Sequence, residues 1–235
     1  MKTTSNASRN TWPLNSTNSP HAVYHRRLYP RRNLLARTCR RALIRHDPST
    51  MPAMSRVDLR ALETRRIQLE IPTRDHVDGI FTSFASDPEV TRFLAWAPAN
   101  SRADCEASMI GRLHRIATGE EYSWILVLRD LDEVFGSLSL WPRSDGTEIG
   151  FALARSAWGM GLAVEAGQVA IEWAKRSLRP PRIWGSCDPE NLRSARVLEK
   201  LGLAEANLQR ASKIRPNLSK LPRDSRIFEL IVGSA

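Results

Sequence analysis

Cysteine, histidine and long apolar runs are all scarce in this chain of 235 residues. Its three cysteines, Cys39, Cys105 and Cys187, are odd in number and far apart, so they indicate neither a disulfide framework nor a redox pair. None of the five histidines has ligand spacing to another or to a cysteine, so no metal is expected. No run of about 18 apolar residues is present, which predicts a soluble, cytoplasmic protein without a membrane partner.

Charge is distributed very unevenly along the chain, whose net charge is +10 at pH 7. Residues 1–53 carry ten basic residues against one acid, Asp47, whereas the remaining 182 residues carry 25 basic against 24 acidic residues. A basic surface for nucleic acid would have to lie in that first segment. Since the rest of the chain is nearly neutral, no nucleic-acid partner is expected. A nucleic-acid binder working through the arginine-rich arm remains a rival hypothesis.

The first 53 residues have no clean apolar face, and twelve of the first twenty are Ser, Thr or Asn. Three interpretations remain open: a disordered basic extension, a cleaved organelle-targeting segment, and a misassigned start codon. We favour the last, because Met51 and Met54 stand just before the first patterned segment. We therefore expect one globular domain over residues 54–235. Its composition of 42% hydrophobic and 26% charged residues suits a single core.

From Thr64 onward, hydrophobic periodicity predicts the element order β-α-α-β-β-β-α-β-α-β-β. The predicted strands cover residues 64–71, 122–128, 134–141, 147–154, 182–187, 203–208 and 226–232, and the predicted helices cover 75–85, 102–117, 161–178 and 188–201. Trp124 and Trp173 are predicted to be buried. Residues 209–223 contain five basic residues and no acid. They are expected to join the last two strands, either as a solvated basic loop or as a contact for an acidic acceptor.

The strongest local motif is the glycine-containing turn at residues 158–163, WGMGLA, which follows a strand and opens a helix. Glycines there leave room for an anion to approach the free amides of the helix N-terminus. The motif therefore predicts a phosphate-binding turn. A tight strand-to-helix turn without a ligand is the alternative.

Three further segments complete a pattern over residues 64–232: EIGF at 148–151, DPENLRSA at 188–195 and DPEVTRFL at 87–94. Together with the glycine turn, they resemble the GNAT superfamily of acetyl-CoA-dependent N-acetyltransferases. The resemblance is strongest to the branch of Rim-type ribosomal-protein N-terminal acetyltransferases. It implies an α/β (α+β) fold with a mixed, mostly antiparallel sheet of about seven strands and about four flanking helices. It also implies a possible homodimer, because dimers are common in that branch.

The resemblance implies acetyl-CoA as co-substrate and no metal. Pantetheine would lie where the sheet splays between the predicted strands at 147–154 and 182–187. The implied coenzyme contacts are the backbone of Phe151, Ala152 and Leu153, the turn residues Trp158, Gly159, Met160, Gly161, Leu162 and Ala163, and, at the thiol end, Asn191 and Ser194. The superfamily often carries Gln or Arg where this chain has Ser156. That departure puts side-chain help to the phosphates in doubt.

The resemblance assigns two catalytic roles. Glu148 would be the general base for the attacking amine, and Ser194 would relay a proton to the departing thiolate. The alternatives are a surface strand carboxylate paired with a neighbouring arginine and a serine that merely packs near the coenzyme. Many relatives use Tyr where this chain has Leu198, which cannot donate a proton. Cys187 has no partner histidine, so a covalent acetyl-cysteine route is disfavoured.

Acceptor contacts are expected from the aromatic residues Phe93, Trp96 and Trp141. An α-amine of pKa near 7.8 loses its proton at pH 7 for about 1 kcal/mol, whereas a lysine amine costs nearly 5 kcal/mol. The predicted function is therefore acetyl transfer to a primary amine, foremost a protein or peptide N-terminal α-amine, in a ternary complex. The alternatives are a small-amine (antibiotic or polyamine) acetyltransferase and an inactive CoA-binding regulatory module.

Overall fold

A computed structural model describes residues 57–233 of the chain. The expectations for residues 1–53 lie outside this range. The described strands are β1 (Leu62–Glu63), β2 (Ile67–Glu70), β3 (Tyr122–Leu128), β4 (Glu133–Arg143), β5 (Gly146–Leu153), β6 (Arg182–Cys187), β7 (Ala204–Arg215) and β8 (Ser219–Ile231). The α-helices are α1 (Val77–Ile80), α2 (Pro88–Thr91), α3 (Arg102–Thr118), α4 (Leu162–Ser177) and α5 (Leu192–Lys200).

The strands form one sheet in the order β1-β2-β3-β4-β5-β6-β8-β7. Every neighbouring pair is antiparallel except β5 and β6, which run parallel. The predicted mixed, mostly antiparallel sheet is therefore confirmed. The described residues contain one strand more than expected, because the two-residue β1 pairs with β2 through Leu62 and Leu69.

The core lies between the sheet and its helices. It includes the two tryptophans that were predicted to be buried. Trp124 on β3 and Trp173 on α4 are buried and meet edge to face with ring centres 5.2 Å apart. The apolar stripe of α4 provides this face of the core, since Leu162, Ala166 and Ala170 are also buried. Among the described residues, no helix is long and apolar enough to cross a membrane.

The region predicted as one helix over residues 75–85 is more irregular than expected. A 3-10 turn at Arg74–His76 leads into α1, and a π-helical turn at Phe81–Ala85 follows it. Gly79 lets this segment approach the sheet, because a Cβ there would lie 2.7 Å from Cγ2 of Val134. The short α2 was not predicted as a helix. It begins at Pro88, and Oδ1 of Asp87 accepts the Glu89 amide at 2.9 Å.

The prediction of a connecting loop over residues 209–223 is wrong. Most of that segment lies in the long hairpin of β7 and β8, where Lys213 pairs with Arg223 and Arg215 with Ser219. β7 forms the edge of the sheet and its side chains are exposed from Ala204 through Ala211. A strand with little burial has no apolar alternation, which is why the sequence pattern did not show it.

Candidate active site

A gap opens in the sheet between β5 and β6. These strands pair at Thr147 with Ile183 and at Glu148 with Trp184, and no further pairing between them is present. β5 continues to Leu153 paired with β4 on its other side. Beyond Glu148, the edge of β5 that faces β6 therefore has no strand partner in the described part of the chain. This free edge borders the gap.

The glycine turn follows β5, where Trp158 Nε1 donates to the Leu153 carbonyl at 2.9 Å. Gly159 and Gly161 have φ of +76° and +77°, the left-handed region that other residues enter at a cost of about 1–2 kcal/mol. An added Cβ would meet nothing within 4 Å at Gly159, so conformation and not space requires glycine there. Gly161 is the N-cap of α4, whose first amides lack intrahelical acceptors. These amides are available to an anion.

Glu165 in the first turn of α4 binds the segment between β1 and β2. Its carboxylate accepts hydrogen bonds from Thr64 Oγ1 at 2.5 Å and Arg66 Nε at 2.7 Å. Arg66 Nη1 also donates to the Met160 carbonyl at 3.1 Å. Burial would raise the pKa of Glu165, but these hydrogen bonds together lower it.

Two arginines near the turn differ in their partners. Arg155, adjacent to the exposed Ser156, donates from Nε to Oδ2 of Asp87 at 2.6 Å, so its charge is engaged with the N-cap of α2. Arg193 on α5 instead lies over Trp158, with its guanidinium carbon 4.6 Å from the ring centre. No pattern in the sequence indicated that Arg193 or Arg66 would lie at the glycine turn.

Glu148 is buried, with 6% of its surface exposed, on the last residue pair before β5 and β6 separate. Lys213 from β7 donates to its Oε1 at 2.6 Å, and Arg143 Nη2 lies 3.5 Å from its Oε2. Lys213 Nζ also donates to Ser186 Oγ at 2.8 Å. Glu148 is thus a buried, ion-paired carboxylate and not a solvent-facing one.

Asn191 and Ser194 lie at the N-terminal end of α5. Asn191 caps that helix, since its Oδ1 accepts the Ser194 amide at 3.2 Å, and Ser194 is half-buried. Leu198 packs in the core, where a Cβ on Gly185 would lie 2.7 Å from its Cδ2. Gly185 on β6 therefore faces α5. Because successive strand residues face opposite sides of a sheet, its neighbour Trp184 faces away from α5. Glu148 pairs with Trp184 and so lies on that same side, the face of the sheet opposite to α5, the helix that carries Ser194.

The three predicted acceptor residues are placed differently. Trp141 pairs with Glu148 across β4 and β5, and a Cβ on Gly150 would lie 2.8 Å from its ring. Phe93 lines a cleft of about 370 Å³ beside the N-terminus of α5. The other residues lining this cleft are Arg92, Glu190, Asn191, Leu192, Arg193 and Arg196. Trp96 is 40% exposed.

The tip of the hairpin contacts the loop that carries these aromatic residues. Asn217, between β7 and β8, donates from Nδ2 to the carbonyls of Thr91 at 2.6 Å and Trp96 at 2.9 Å. The hairpin therefore borders both the loop after α2 and, through Lys213, the carboxylate of Glu148. No sequence pattern had indicated this contact.

Comparison with known proteins matches this architecture to one family. Residues 66–204, more than half of the chain, match the family model of the acetyltransferase (GNAT) domain. The chain belongs to the GNAT acetyltransferase family. The expected class, an acetyl-CoA-dependent N-acetyltransferase, is thereby confirmed.

Relatives of this acetyltransferase agree with the assignment. It is 31% identical over 157 residues to the uncharacterized N-acetyltransferase p20 of Bacillus licheniformis, an alignment covering 65% of this chain and 86% of that protein. Its fold is similar to that of the microcin C7 self-immunity acetyltransferase MccE in complex with acetyl-CoA and AMP, with a TM-score of 0.65, 16% identity and coverage of 72% and 94%. RimL, a ribosomal L7/L12 alpha-N-protein acetyltransferase in complex with coenzyme A, gives a TM-score of 0.65, 16% identity and coverage of 74% and 98%.

A buried ionic cluster anchors the end of β6 in this acetyltransferase. The carboxylate of Asp188, with no exposed surface, accepts two hydrogen bonds from Arg223 at 2.7 and 3.1 Å, and Arg215 lies 3.5 Å away. Burial would raise the pKa of Asp188, but the Arg223 hydrogen bond, the Glu190 amide and the charge of Arg215 together lower it. The cluster thus fixes the hairpin against β6, next to the gap.

Cys187 has the environment of an unreactive thiol. Burial raises its pKa to about 11, although Arg226 and Arg215 oppose that shift. A thiol with so high a pKa holds little thiolate at neutral pH, and the thiolate is the nucleophile. Within residues 57–233, no group of three or more His, Cys, Asp or Glu side chains is placed to hold a metal ion.

Proposed function

We propose that this acetyltransferase transfers the acetyl group of acetyl-CoA directly to a primary amine, and that the amine is the N-terminal α-amine of a peptide or protein. The observation that carries the proposal is the position of Glu148. A buried carboxylate stands at the residue pair where the two strands separate, with an ammonium group, that of Lys213, already bound to it. A carboxylate that binds one ammonium group has the charge to bind an acceptor amine, which would displace Lys213 from it.

The gap and the glycine turn fit the coenzyme. The free amides at the start of α4 suit a pyrophosphate, and the left-handed Gly159 and Gly161 shape the turn that presents them. Backbone groups of Phe151, Ala152 and Leu153 would bind the pantetheine arm in the gap. Asn191 and Ser194 would face the thiol end from α5. When bound, the coenzyme supplies the acetyl thioester.

Glu148 would act as the general base. An amine attacks a carbonyl carbon only when it is unprotonated, so its proton must pass to a nearby acceptor, directly or through water. Amides at Phe151 or Ala152 would donate to the carbonyl oxygen as negative charge develops on it. Ser194 would hydrogen-bond to the sulfur from the opposite face of the sheet. Leu198 is fully packed in the core and contributes no proton.

The choice of an α-amine follows from the cost of deprotonation. At pH 7 that cost is about 1 kcal/mol for an α-amine and nearly 5 kcal/mol for a lysine side chain. A single carboxylate base suits the former. Trp141, paired across the strands with Glu148, would contact the first residue of the acceptor, and Phe93 and Trp96 would border its path.

The test is a thiol-release assay on the full chain with acetyl-CoA and three acceptor classes. These are peptides with free N-termini, the same peptides with blocked N-termini, and a panel of polyamines and aminoglycosides. We expect release with the free peptides and none with the blocked ones. Release with the small amines alone would reassign the acceptor. Binding of acetyl-CoA without release across all classes would favour the regulatory-module alternative.

A further inference from the structure

The side chain of Lys213 occupies the position that the proposed mechanism reserves for the acceptor. Its Nζ lies 2.6 Å from Glu148 Oε1 and 2.8 Å from Ser186 Oγ, and the side chain is 30% exposed. Glu148 and Ser186 belong to β5 and β6, the two strands that separate beyond Glu148. A primary amine of this chain therefore bridges the two strands at the narrow end of the gap.

We propose that Lys213 is a self-acetylation site, modified by the active site of its own chain. The inference rests on the proposed function, because it requires acetyl-CoA in the gap and Glu148 as the base. The chemical class of the substrate is the same, a primary amine, but the acceptor is carried by the hairpin of β7 and β8. No further ligand is needed.

The step balances without any other reactant. The Lys213 ammonium group loses one proton to the Glu148 carboxylate, and the free Nζ attacks the thioester carbon. One C–N bond forms and the C–S bond breaks, so the products are N-acetyl-Lys213 and coenzyme A. The thiolate leaves with the bonding electron pair and takes up the proton that the attacking nitrogen loses as the amide forms. The second amine hydrogen stays on the new amide.

Position favours Lys213 over the other lysines. A lysine amine is harder to deprotonate than an α-amine, but a group held in contact with its base gains a high effective concentration. Lys175 is bound instead to Glu172 on α4, and Lys200 and Lys220 are exposed. Among the four lysines in the described residues, Lys213 alone contacts Glu148.

Acetylation would change the electrostatics of the site. N-acetyl-Lys213 is neutral and its nitrogen becomes an amide, so the ion pair with Glu148 would be lost. Arg143, 3.5 Å away, would be the remaining cation beside that carboxylate in the described part of the chain. The modification would therefore leave the Glu148 carboxylate without its lysine partner.

The experiment follows incorporation of isotope-labelled acetyl groups from acetyl-CoA into the full chain by peptide mass spectrometry, lysine by lysine. We expect Lys213 to be labelled at least about tenfold faster than Lys220, since it is held against the base. The rate constant should stay the same on tenfold dilution of the protein. In Glu148→Gln, labelling of Lys213 should fall to the rate of Lys220. The purified natural protein can also carry an unlabelled acetyl group on Lys213 before the assay. If that group is missing from Glu148→Gln, the finding supports the proposal equally.

Equal labelling of Lys213 and Lys220 in the natural chain would overturn the proposal, as would a rate that falls in proportion to protein concentration. These two comparisons need no variant, so they hold even if Glu148→Gln does not fold. Lys220→Arg is the matched control and should leave labelling of Lys213 unchanged.

Thiol release with a free-N-terminus peptide, run on the same samples, separates the two proposals. An acetylated peptide with no excess labelling of Lys213 would overturn self-acetylation and leave the proposed function standing. Labelled Lys213 with no acetylated peptide would support self-acetylation and overturn the α-amine acceptor. Neither product would overturn both.

Discussion

Lys213 on the edge strand β7 donates a 2.6 Å hydrogen bond to Glu148 on β5, although β6 and β8 lie between these two strands in the sheet. This pairing makes the C-terminal hairpin part of the candidate active site. The hairpin is held in place by the buried Asp188 with Arg215 and Arg223. Residues far apart in the sequence thus meet at Glu148.

The glycine turn should be required for coenzyme affinity. Gly159→Ala places a Cβ in the left-handed region, where the strain costs about 1–2 kcal/mol and shifts the turn amides. We expect the dissociation constant of acetyl-CoA, measured by calorimetry, to rise about tenfold. Gly202→Ala is the matched control, because Gly202 has φ +85° and open space but follows α5. An equal loss of affinity in both variants would contradict the assignment.

Trp141 should govern the acceptor and not the coenzyme. Gly150→Ala would place a Cβ 2.8 Å from Cζ3 of Trp141 and displace its ring from the strand. We expect KM for the peptide acceptor to rise severalfold while the affinity for acetyl-CoA stays within twofold. Steady-state kinetics and calorimetry measure the two effects. A fall in coenzyme affinity with an unchanged KM for the peptide would show that Trp141 contacts the coenzyme and not the acceptor.

Asp188 should contribute to stability in a pH-dependent way. Asp188→Asn leaves the buried Arg215 without its carboxylate, which costs about 3–5 kcal/mol of unfolding free energy near neutral pH. The pKa of Asp188 is lowered in the folded protein. Its contribution to the free energy of unfolding is therefore fully present above the ordinary carboxyl pKa of about 4, and it is lost as the pH falls through the lowered pKa.

Denaturant unfolding across pH measures this effect. The difference between the natural chain and Asp188→Asn should shrink as the pH falls below about 4. Glu172→Gln is the control, because Glu172 is half exposed and its pairs with Lys175 and Arg176 lie on the surface of α4. A difference that is constant with pH would show that the loss comes from packing alone.

Cys187 should be dispensable for turnover. Its pKa of about 11 leaves the thiol protonated, so direct transfer needs no acetyl-cysteine. We expect Cys187→Ser to keep thiol release within a few fold and native Cys187 to resist alkylation at pH 8, with urea-unfolded protein as the positive control. Abolished turnover in a variant that still folds and binds acetyl-CoA would point to a covalent route.

The sequence predicted those parts of the fold that have a periodic core face. β3, β6 and α4 were located nearly to the residue, because each has a continuous or alternating apolar pattern. The turn at Gly159 and Gly161 was visible for a different reason: two left-handed positions before a helix require glycine.

The parts that could not be predicted depend on contacts distant in sequence. Strands at 203–208 and 226–232 were predicted, but their continuation as one hairpin through residues 209–223 was not, because few of those residues are buried. The bond between Lys213 and Glu148 joins residues 65 positions apart, and no local pattern encodes it. For the same reason, Glu148 was recognised as a candidate base but its burial and its partner were not.

The most direct test of the account is the turnover of Glu148→Gln with acetyl-CoA and a peptide bearing a free N-terminus. Glutamine keeps the shape of the side chain but accepts no proton. We predict a fall in kcat of about 10²–10⁴-fold with unchanged affinity for acetyl-CoA, while the exposed Glu63→Gln stays unchanged. A Glu148→Gln variant that turns over at the natural rate would show that Glu148 is not the base.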